Sequence, residues 1–207
     1  MARELGPTCK LCRREGEKLF LKGFRCESPK CSMNKRTYPP GEHQWKKKPT
    51  EYGKQLREKQ KVKRYYGVLE KQFMLYFKKA SRVRGNTGET LLQLLERRLD
   101  NAVYHLGFAQ SRKQARQLIS HRHILLNDKR VKTGSIQVKR GDKIAVLPDE
   151  KTRKFVRENM DMSRGRGVPS WLTLDEKNLS AEVLDLPDRE QVSIPVEEHL
   201  IVEFCSK

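Results

Sequence analysis

The sequence has few apolar residues and no long apolar run. Hydrophobic residues make up 36% and aromatic residues 7% of its 207 residues, and the mean hydropathy is -0.83. A membrane-spanning helix needs roughly 18 consecutive apolar residues, and a secretory signal needs an apolar stretch where this chain has Arg3 and Glu4. We therefore expect a cytoplasmic chain with small cores that is neither exported nor inserted in a membrane.

Motifs of catalysis are also missing. The chain contains neither the phosphate-binding loop G-x-x-x-x-G-K-[ST] nor the nucleophile elbow G-x-S-x-G. His105, His121 and His123 have no cysteine or serine nearby with a supporting carboxylate at a recognisable spacing. Isolated acids such as Asp100 and Asp149 are explained more simply as helix-surface or cap residues. We predict that the protein is not an enzyme and has no small-molecule substrate.

Acidic residues are scarce in the first three quarters of the chain. Lys and Arg number 45 against 26 Asp and Glu, which gives a formal net charge of +19. Cations outnumber acids 24 to 9 in residues 1–90 and 15 to 6 in residues 91–154, whereas acids prevail 11 to 6 in residues 155–207. So large and uneven a positive charge predicts a polyanionic partner.

Four of the five cysteines lie near the N-terminus, in a segment with too few apolar residues to fold by burial alone. Cys9 and Cys12 form a C-x-x-C pair, and four residues separate Cys26 from Cys31. Four thiolates can hold one tetrahedral Zn²⁺, and a site closed by four cysteines is structural rather than catalytic. We therefore predict one structural zinc ion per chain.

Three alternatives to zinc remain open for these cysteines. Disulfides require an oxidising compartment, which the missing secretory signal argues against, and a redox C-x-x-C would need a βαβ context that is absent here. An iron–sulfur cluster takes similar ligands, and the spacing does not exclude it. His43 is not needed as a ligand, and Cys205 is expected to be a packed thiol.

Two helices are predicted after the cysteine segment and its basic linker. Thr50 is a favourable N-cap for the first helix, Gly67 interrupts it, and the second is expected over residues 68 to about 83. Aromatic residues on one face of the second helix are expected in a core rather than stacked on bases, since they recur at helical spacing: Phe73, Tyr76 and Phe77.

The stretch from Leu92 to Val146 has the clearest pattern in the chain. Apolar residues at spacings of three and four predict a first helix over residues 92–106. Thr90 and Gln93 form a capping box before it, and Gly107 is suited to end it.

A second helix of this stretch is marked by the capping box Ser111 and Gln114. Arg112 and Arg116 are four residues apart and therefore share a face. With Lys113 they are expected to form a row of cations that points away from the core.

A small antiparallel sheet should follow, with a further helix inserted between its strands. Asp149 caps that helix, which is expected to reach about Asn159. The last helix, residues 195–204, is acidic on one side and apolar on the other, so we expect it to dock on the helical pair at 50–83. Short strands bounded by turn residues are predicted at residues 124–126, 136–138, 144–146, 171–174 and 180–184.

The central stretch resembles the S-four RNA-binding domain, through Leu99-Asp100-Asn101, the run Ser111 to Ile119, the segment His121 to Asn127 and the Gly141-Asp142 turn. Tyr65 to Phe73 and the C-terminal Leu-Ile-Val-Glu-Phe resemble the S-four ribosomal protein family, so that the resemblance covers nearly the whole chain. The cysteines resemble those of the zinc-binding form of this bacterial family.

The resemblance implies a constituent of the small (30S) ribosomal subunit that binds 16S ribosomal RNA at a helix junction in the 5′ domain. It implies that the protein nucleates assembly of the subunit body. It further implies contact with the neighbouring proteins S-five and S-twelve, an influence on translational accuracy, and proximity to messenger RNA where it enters the subunit.

Basic residues on preformed elements are the expected RNA contacts, because folded RNA is recognised mainly through its shape and phosphates. The planar fork of arginine suits phosphate, so Arg112, Arg116 and Arg122 are favoured over the lysines. The full predicted set is Arg13, Arg14, Lys22, Arg25, Lys35, Arg36, Lys47, Arg57, Lys61, Arg64, Arg84, Arg112, Lys113, Arg116, Arg122, Lys129, Arg130, Lys132 and Arg153.

We expect an α+β fold in four parts. These are a zinc-binding segment at 1–48, the first part of a helical domain at 49–90, an RNA-binding module with its sheet at 91–188, and a returning C-terminal helix at 189–207. The alternative is a free-standing, zinc-containing nucleic-acid-binding regulator, whose second helix would read duplex DNA through Arg112 and Gln114. Competition between ribosomal RNA and duplex DNA separates the two.

Overall fold

The computed structural model describes residues 5–42, 48 and 50–206. The chain forms two compact units, one of residues 1–91 with 193–207 and one of residues 92–192. Among the described residues, no helix combines the length and the apolar content needed to cross a bilayer. Mixed helices and one antiparallel sheet confirm the predicted α+β class.

Both units contain helices among the described residues. They are α1 (Thr8–Glu15), α2 (Phe24–Glu27), α3 (Ser32–Lys35), α4 (Glu51–Tyr65), α5 (Glu70–Ala80), α6 (Thr87–Glu96), α7 (Leu99–His105), α8 (Arg112–Ser120), α9 (Glu150–Ser163) and α10 (Glu198–Ser206). The strands are β1 (Ile124–Leu126), β2 (Lys129–Arg130), β3 (Lys143–Val146), β4 (Leu172–Asp175) and β5 (Ser180–Val183).

In the first unit, helix α4 begins and ends as predicted. The Thr50 hydroxyl accepts a hydrogen bond from the Gly53 amide at 3.2 Å, and Gly67 has a left-handed φ of 62° after the helix. Helix α5 is shorter than the predicted residues 68–83, because the backbone at Leu69 is extended and the helix begins after it. Its aromatic residues are buried in the core as expected: Phe73, Tyr76 and Phe77.

The C-terminal helix packs on α4, which confirms the predicted docking. The rings of Tyr52 and Phe204 lie 5.4 Å apart, and the Lys61 ammonium donates to the Pro195 carbonyl at 3.0 Å. The helix begins at Glu198 rather than Pro195. One of these contacts lies within α10 and the other just before it. Together they join the C-terminal part of this unit to α4.

The predicted helix over 92–106 is in fact two helices. The backbone of Arg98 is extended, since residues 136–138 pair with the chain here: the Leu99 amide donates to the Ile136 carbonyl at 2.8 Å. The strand predicted at 136–138 is thus a single bridge. The predicted Thr90 cap is also wrong, because α6 begins three residues earlier and Asn86 accepts from the Gly88 amide at 3.0 Å.

Helix α8 has the predicted N-cap. The Ser111 hydroxyl accepts from the Gln114 amide at 3.3 Å, whereas the Gln114 side chain accepts from the Gln110 amide at 2.6 Å instead of from Ser111. Gly107, at a φ of 76°, ends the preceding helix as expected. Only one half of the predicted capping box is therefore formed.

The five strands form one antiparallel sheet in the order β2-β1-β3-β5-β4. Strand β5 joins the second hairpin to the first by pairing with β3, as in the register Lys143 opposite Glu182. Helix α9 is capped by Asp149 as predicted but continues to Ser163. Helices α7, α8 and α9 and the sheet share one core, whose largest member is Trp171.

Replacing Ser111 by Ala should lower the free energy of unfolding by about 1 kcal/mol, because an amide in the first turn of α8 loses its acceptor. Urea unfolding followed by circular dichroism measures the change. The matched control is Ser120→Ala in the same helix: its hydroxyl only supplements the Arg116 carbonyl, and Ala has the higher helix propensity. Equal losses for both variants would contradict the cap.

Candidate nucleic-acid interface

The predicted RNA contacts divide into exposed cations and cations that are partly or fully buried. Exposed are Arg14, Lys22, Arg25, Lys35, Arg36, Arg84, Lys113, Arg122, Lys129, Arg130 and Lys132. Partly or fully buried are Arg13, Arg57, Lys61, Arg64, Arg112, Arg116 and Arg153. Lys47 and His43 lie outside the described residues.

The exposed cations of the second unit lie on a rigid hairpin edge and on helix α8. Asn127 and Asp128 have φ values of 49° and 62°, the left-handed conformation that a tight hairpin turn requires. The Asn127 side chain also donates to Asp142 at 2.9 Å and accepts from the Lys143 amide at 2.9 Å. The turn is therefore fixed, and it presents the two residues of edge strand β2, Lys129 and Arg130, to solvent.

Arg112 and Arg116 point inward, so the predicted orientation of this row is wrong. Arg112 is 6% exposed; its Nε donates to Asn101 Oδ1 at 2.7 Å, and its guanidinium lies 4.4 Å from the centre of the Tyr104 ring. Arg116 donates from Nε and Nη2 to Asp100 Oδ2 at 2.9 and 2.7 Å. Helical spacing places the two arginines on one face but does not say which face meets α7.

Sequence reasoning missed the buried polar cluster to which these arginines belong. Asp100, expected on a helix surface, is 1% exposed and also accepts from Arg98 Nε and Nη2 at 3.0 and 2.7 Å. Glu96, also 1% exposed, accepts from Asn101 and faces His105 Nε2 at 3.0 Å. A signal was present: Arg98 directly precedes the Leu99-Asp100-Asn101 motif and lies two residues before its acid, at the start of a helix.

Sequence reasoning also left out cations beside the Gly141 turn. Lys139, Arg140 and Lys143 are exposed on this turn and on the adjoining strand β3. The turn itself is held by the Asp142 carboxylate, which accepts from the Lys139 amide at 2.7 Å. Their position on either side of a recognised turn signal could have identified them.

In the first unit, Glu15 binds two of the predicted RNA contacts. Its side chain is 1% exposed and pairs with Arg64 and with Arg57, the latter at 3.4 Å. Burial raises the pKa of the Glu15 carboxyl, and the two guanidiniums oppose that shift. Lys61 is similarly engaged, with Glu58 at 2.8 Å and Glu17 at 3.5 Å.

Two arginines of α1 hold the segment that follows the cysteines. Arg13 Nε donates to the Tyr38 carbonyl at 2.9 Å, and the guanidinium lies 4.8 Å from the centre of the Tyr38 ring. Arg14 Nη2 donates to the Pro40 carbonyl at 2.9 Å but stays exposed. Only Arg14 of the pair therefore also has a face open to a partner.

The four N-terminal cysteines form no disulfide, and the other three lie close enough to Cys12 to influence it electrostatically. Cys12, Cys26 and Cys31 are buried, and the Cys26 sulfur accepts from the Lys22 amide at 3.3 Å. Burial raises the pKa of the Cys12 thiol; a hydrogen bond from the Leu19 backbone opposes the shift, and the other three cysteines add to it. Nevertheless, no three His, Cys, Asp or Glu side chains within the described ranges converge as a metal-binding group.

The fold and its exposed cations define the class: a basic α+β protein of the kind that binds nucleic acid. The chain matches the family models for the ribosomal protein S4/S9 N-terminal domain over residues 3–96 and for the S4 domain over residues 97–144. It is 55% identical over 208 residues to the small ribosomal subunit protein uS4 of Thermoanaerobacter pseudethanolicus and 51% identical over 209 residues to that of Thermus thermophilus. Both alignments cover all of both chains, so this protein belongs to the ribosomal protein S4 family.

Glu15 should make the free energy of unfolding depend on pH. Because its pKa is higher in the folded than in the unfolded state, the folded chain binds the proton more readily. The contribution of Glu15 to stability is therefore largest below the ordinary value of 4.5 and is lost as the pH rises through the folded-state pKa. The wild type should gain stability relative to Glu15→Gln between about pH 7 and about pH 5.

Urea unfolding at both pH values measures this difference. If the wild type instead loses stability relative to Glu15→Gln on acidification, the arginines outweigh burial and lower the pKa of the Glu15 carboxyl.

Proposed function

We propose that this protein is a structural constituent of the small (30S) ribosomal subunit and a primary binder of 16S ribosomal RNA. The observation that supports this proposal is the full-length identity of 51–55% to relatives named small ribosomal subunit protein uS4. Such a protein works in the cytoplasm as part of the ribosome, and its family is one of structural rather than enzymatic proteins. The net charge of +19 suits this role.

In the second unit, the exposed cations would bind RNA phosphates. The backbone of Lys129 and Arg130 is held in place by a fixed turn, so little backbone conformational entropy is lost on binding. Arg122 is exposed at a left-handed φ of 63° directly after α8. Arg122 and Arg130 are the arginines of this unit's predicted set that keep exposed guanidiniums, and they are the best candidates for bidentate phosphate contacts.

The buried cations would act indirectly. Arg112, Arg116, Arg57, Arg64 and Lys61 are bound to acids or amides of their own unit and are proposed to hold the elements that carry the exposed cations. Arg13, whose guanidinium donates to the Tyr38 carbonyl, belongs to the same group. Half-buried Arg153 and Lys47 of the linker stay predicted contacts.

The partners proposed beyond ribosomal RNA are those that the family resemblance implies. They are the neighbouring proteins S-five and S-twelve, and messenger RNA where it enters the subunit. The proposed roles are nucleation of the subunit body at a helix junction of the 5′ domain and an influence on translational accuracy. We retain the four-part division at residues 48, 90 and 188 as a proposal about which segments serve these contacts.

Salt dependence of RNA binding tests the exposed face. Replacing Lys129, Arg130 and Lys132 together by Gln should weaken binding to a 5′-domain transcript. The slope of log affinity against log salt should become shallower by about one unit for each lost phosphate contact. Filter binding at several salt concentrations measures both quantities.

The matched control is Lys177→Gln, an exposed cation of the same unit that lies beside the acids Asp175 and Glu176; its slope should equal that of the wild type. Unchanged affinity and slope in the triple variant would refute the proposed face. Displacement of the transcript by an equal mass of duplex DNA would favour the DNA-binding regulator instead.

We further propose that Cys9, Cys12, Cys26 and Cys31 hold one structural Zn²⁺ ion. The donor set fits: four free thiols of one short segment, three of them buried, influence one another electrostatically. Binding would draw the four sulfur atoms around one centre and release their protons. The ion would then supply the cross-link that this segment's small apolar content does not.

Metal analysis of the purified protein tests this site. The wild type should contain one zinc per chain, and Cys9→Ser should lose it and expose residues 5–42 to protease while residues 50–206 stay folded. The control is Cys205→Ser, which removes a half-buried thiol of α10 and should keep the full zinc content. Iron with inorganic sulfide in place of zinc would identify a cluster, and full zinc in Cys9→Ser would refute the four-cysteine site.

A further inference from the structure

A buried carboxylate lies in the middle of the cationic second unit. The Asp100 side chain is 2% exposed, and both of its oxygens accept hydrogen bonds from guanidiniums: Oδ1 from Arg98, and Oδ2 from Arg98 and Arg116. Arg98 is itself 5% exposed. Its negative charge alone would be expected to weaken the binding of a polyanionic partner.

The contacts of Asp100 join two separate elements of the unit. Through Arg116 it is bound to helix α8, which carries the exposed Lys113. Through its own backbone amide, which donates to the Gly134 carbonyl at 3.0 Å, it is bound to the segment that follows β2 and carries the exposed Lys132. Asp100 is thus the common point between two elements with exposed cations, through its carboxylate to one and its backbone amide to the other.

The fit at this point is close. A Cβ atom placed on Gly134 would lie 3.1 Å from the Asp100 Cβ and 3.3 Å from its Oδ2, so the segment passes directly against the carboxylate. Next to it, the Leu99 amide donates to the Ile136 carbonyl at 2.8 Å. Residues 134–136 are therefore held in one position relative to α7.

The two arginines depend on this carboxylate for their orientation. A charge that has been removed from water needs a partner in good geometry, and loss of one partner leaves the other charges uncompensated. Without the Asp100 charge, the guanidiniums of Arg98 and Arg116 would be uncompensated, which favours their turning toward solvent. Helix α8 would then lose its bond to Asp100, against which Gly134 packs, so that Lys113 would no longer be fixed relative to Lys132.

We propose that Asp100 is a positioning residue for RNA binding, which promotes binding to a polyanion by fixing Lys113 of α8 relative to Lys132. The proposal rests on the proposed binding of ribosomal RNA. It makes a prediction opposite in sign to that of simple electrostatics. Removing a negative charge from a cationic surface should strengthen RNA binding, whereas removing a positioning residue should weaken it.

Asp100→Asn tests the sign. The variant keeps the size of the side chain and loses the charge, and its affinity for the 5′-domain transcript should fall about fivefold or more, the size typical of coupling between linked sites. Binding is measured well below the unfolding midpoint of the variant, so that only folded protein is compared. The matched control is Glu176→Gln in the exposed turn between β4 and β5, which also removes one negative charge from this unit; it should bind as tightly as wild type or more tightly.

Two further variants separate positioning from a merely structural role. Gly134→Ala retains every charge but pushes the segment away from Asp100, and it should weaken binding in the same direction. In the double variant Asp100→Asn with Lys132→Gln, the loss caused by Lys132→Gln should be smaller than in the wild type, because Lys132 is no longer held in register.

Each outcome is decisive. Failure of the wild type to bind the transcript would refute the proposed function itself. If the wild type binds and folded Asp100→Asn binds equally or more tightly, the positioning role is refuted while the function stands. The positioning role is also refuted if Lys132→Gln lowers the affinity by the same factor in Asp100→Asn as in the wild type and Gly134→Ala binds as tightly as the wild type.

Discussion

Each of the two units contains a buried carboxylate that binds two arginines. Glu15 pairs with Arg57 and Arg64 in the first unit, and Asp100 pairs with Arg98 and Arg116 in the second. A chain with a net charge of +19 repels itself when it is compact. The few acids in its interior reduce this repulsion at the points where helices meet. Both carboxylates therefore decide which arginines stay available to a partner.

Much of the fold followed from local rules of sequence. Thr50 and Ser111 cap helices and Gly107 ends one, because hydroxyl acceptors and a left-handed glycine satisfy requirements of the nearby backbone. The extension of the sheet by β5 was also anticipated from alternating segments. The two caps and the glycine depend on residues only a few positions apart.

The features that sequence reasoning missed depend on distant residues. The break at Arg98 exists because residues 136–138 pair with the backbone there, and no local pattern indicates it. The inward orientation of Arg112 and Arg116 depends on Asp100 and Asn101 of a neighbouring helix. Periodicity groups residues by face, but only packing decides whether a face meets solvent or another helix. The predicted exposure is therefore confirmed for Lys113 and Arg122 and wrong for Arg112 and Arg116.

Strand β2 has a consequence for the protein before it meets any RNA. It lies at one edge of the sheet, is two residues long, and both residues are exposed cations, Lys129 and Arg130. An open sheet edge can pair with the edge of another copy, and short charged strands prevent this. The same two side chains proposed to bind phosphate thus also disfavour pairing of this edge with the sheet of another copy of the chain.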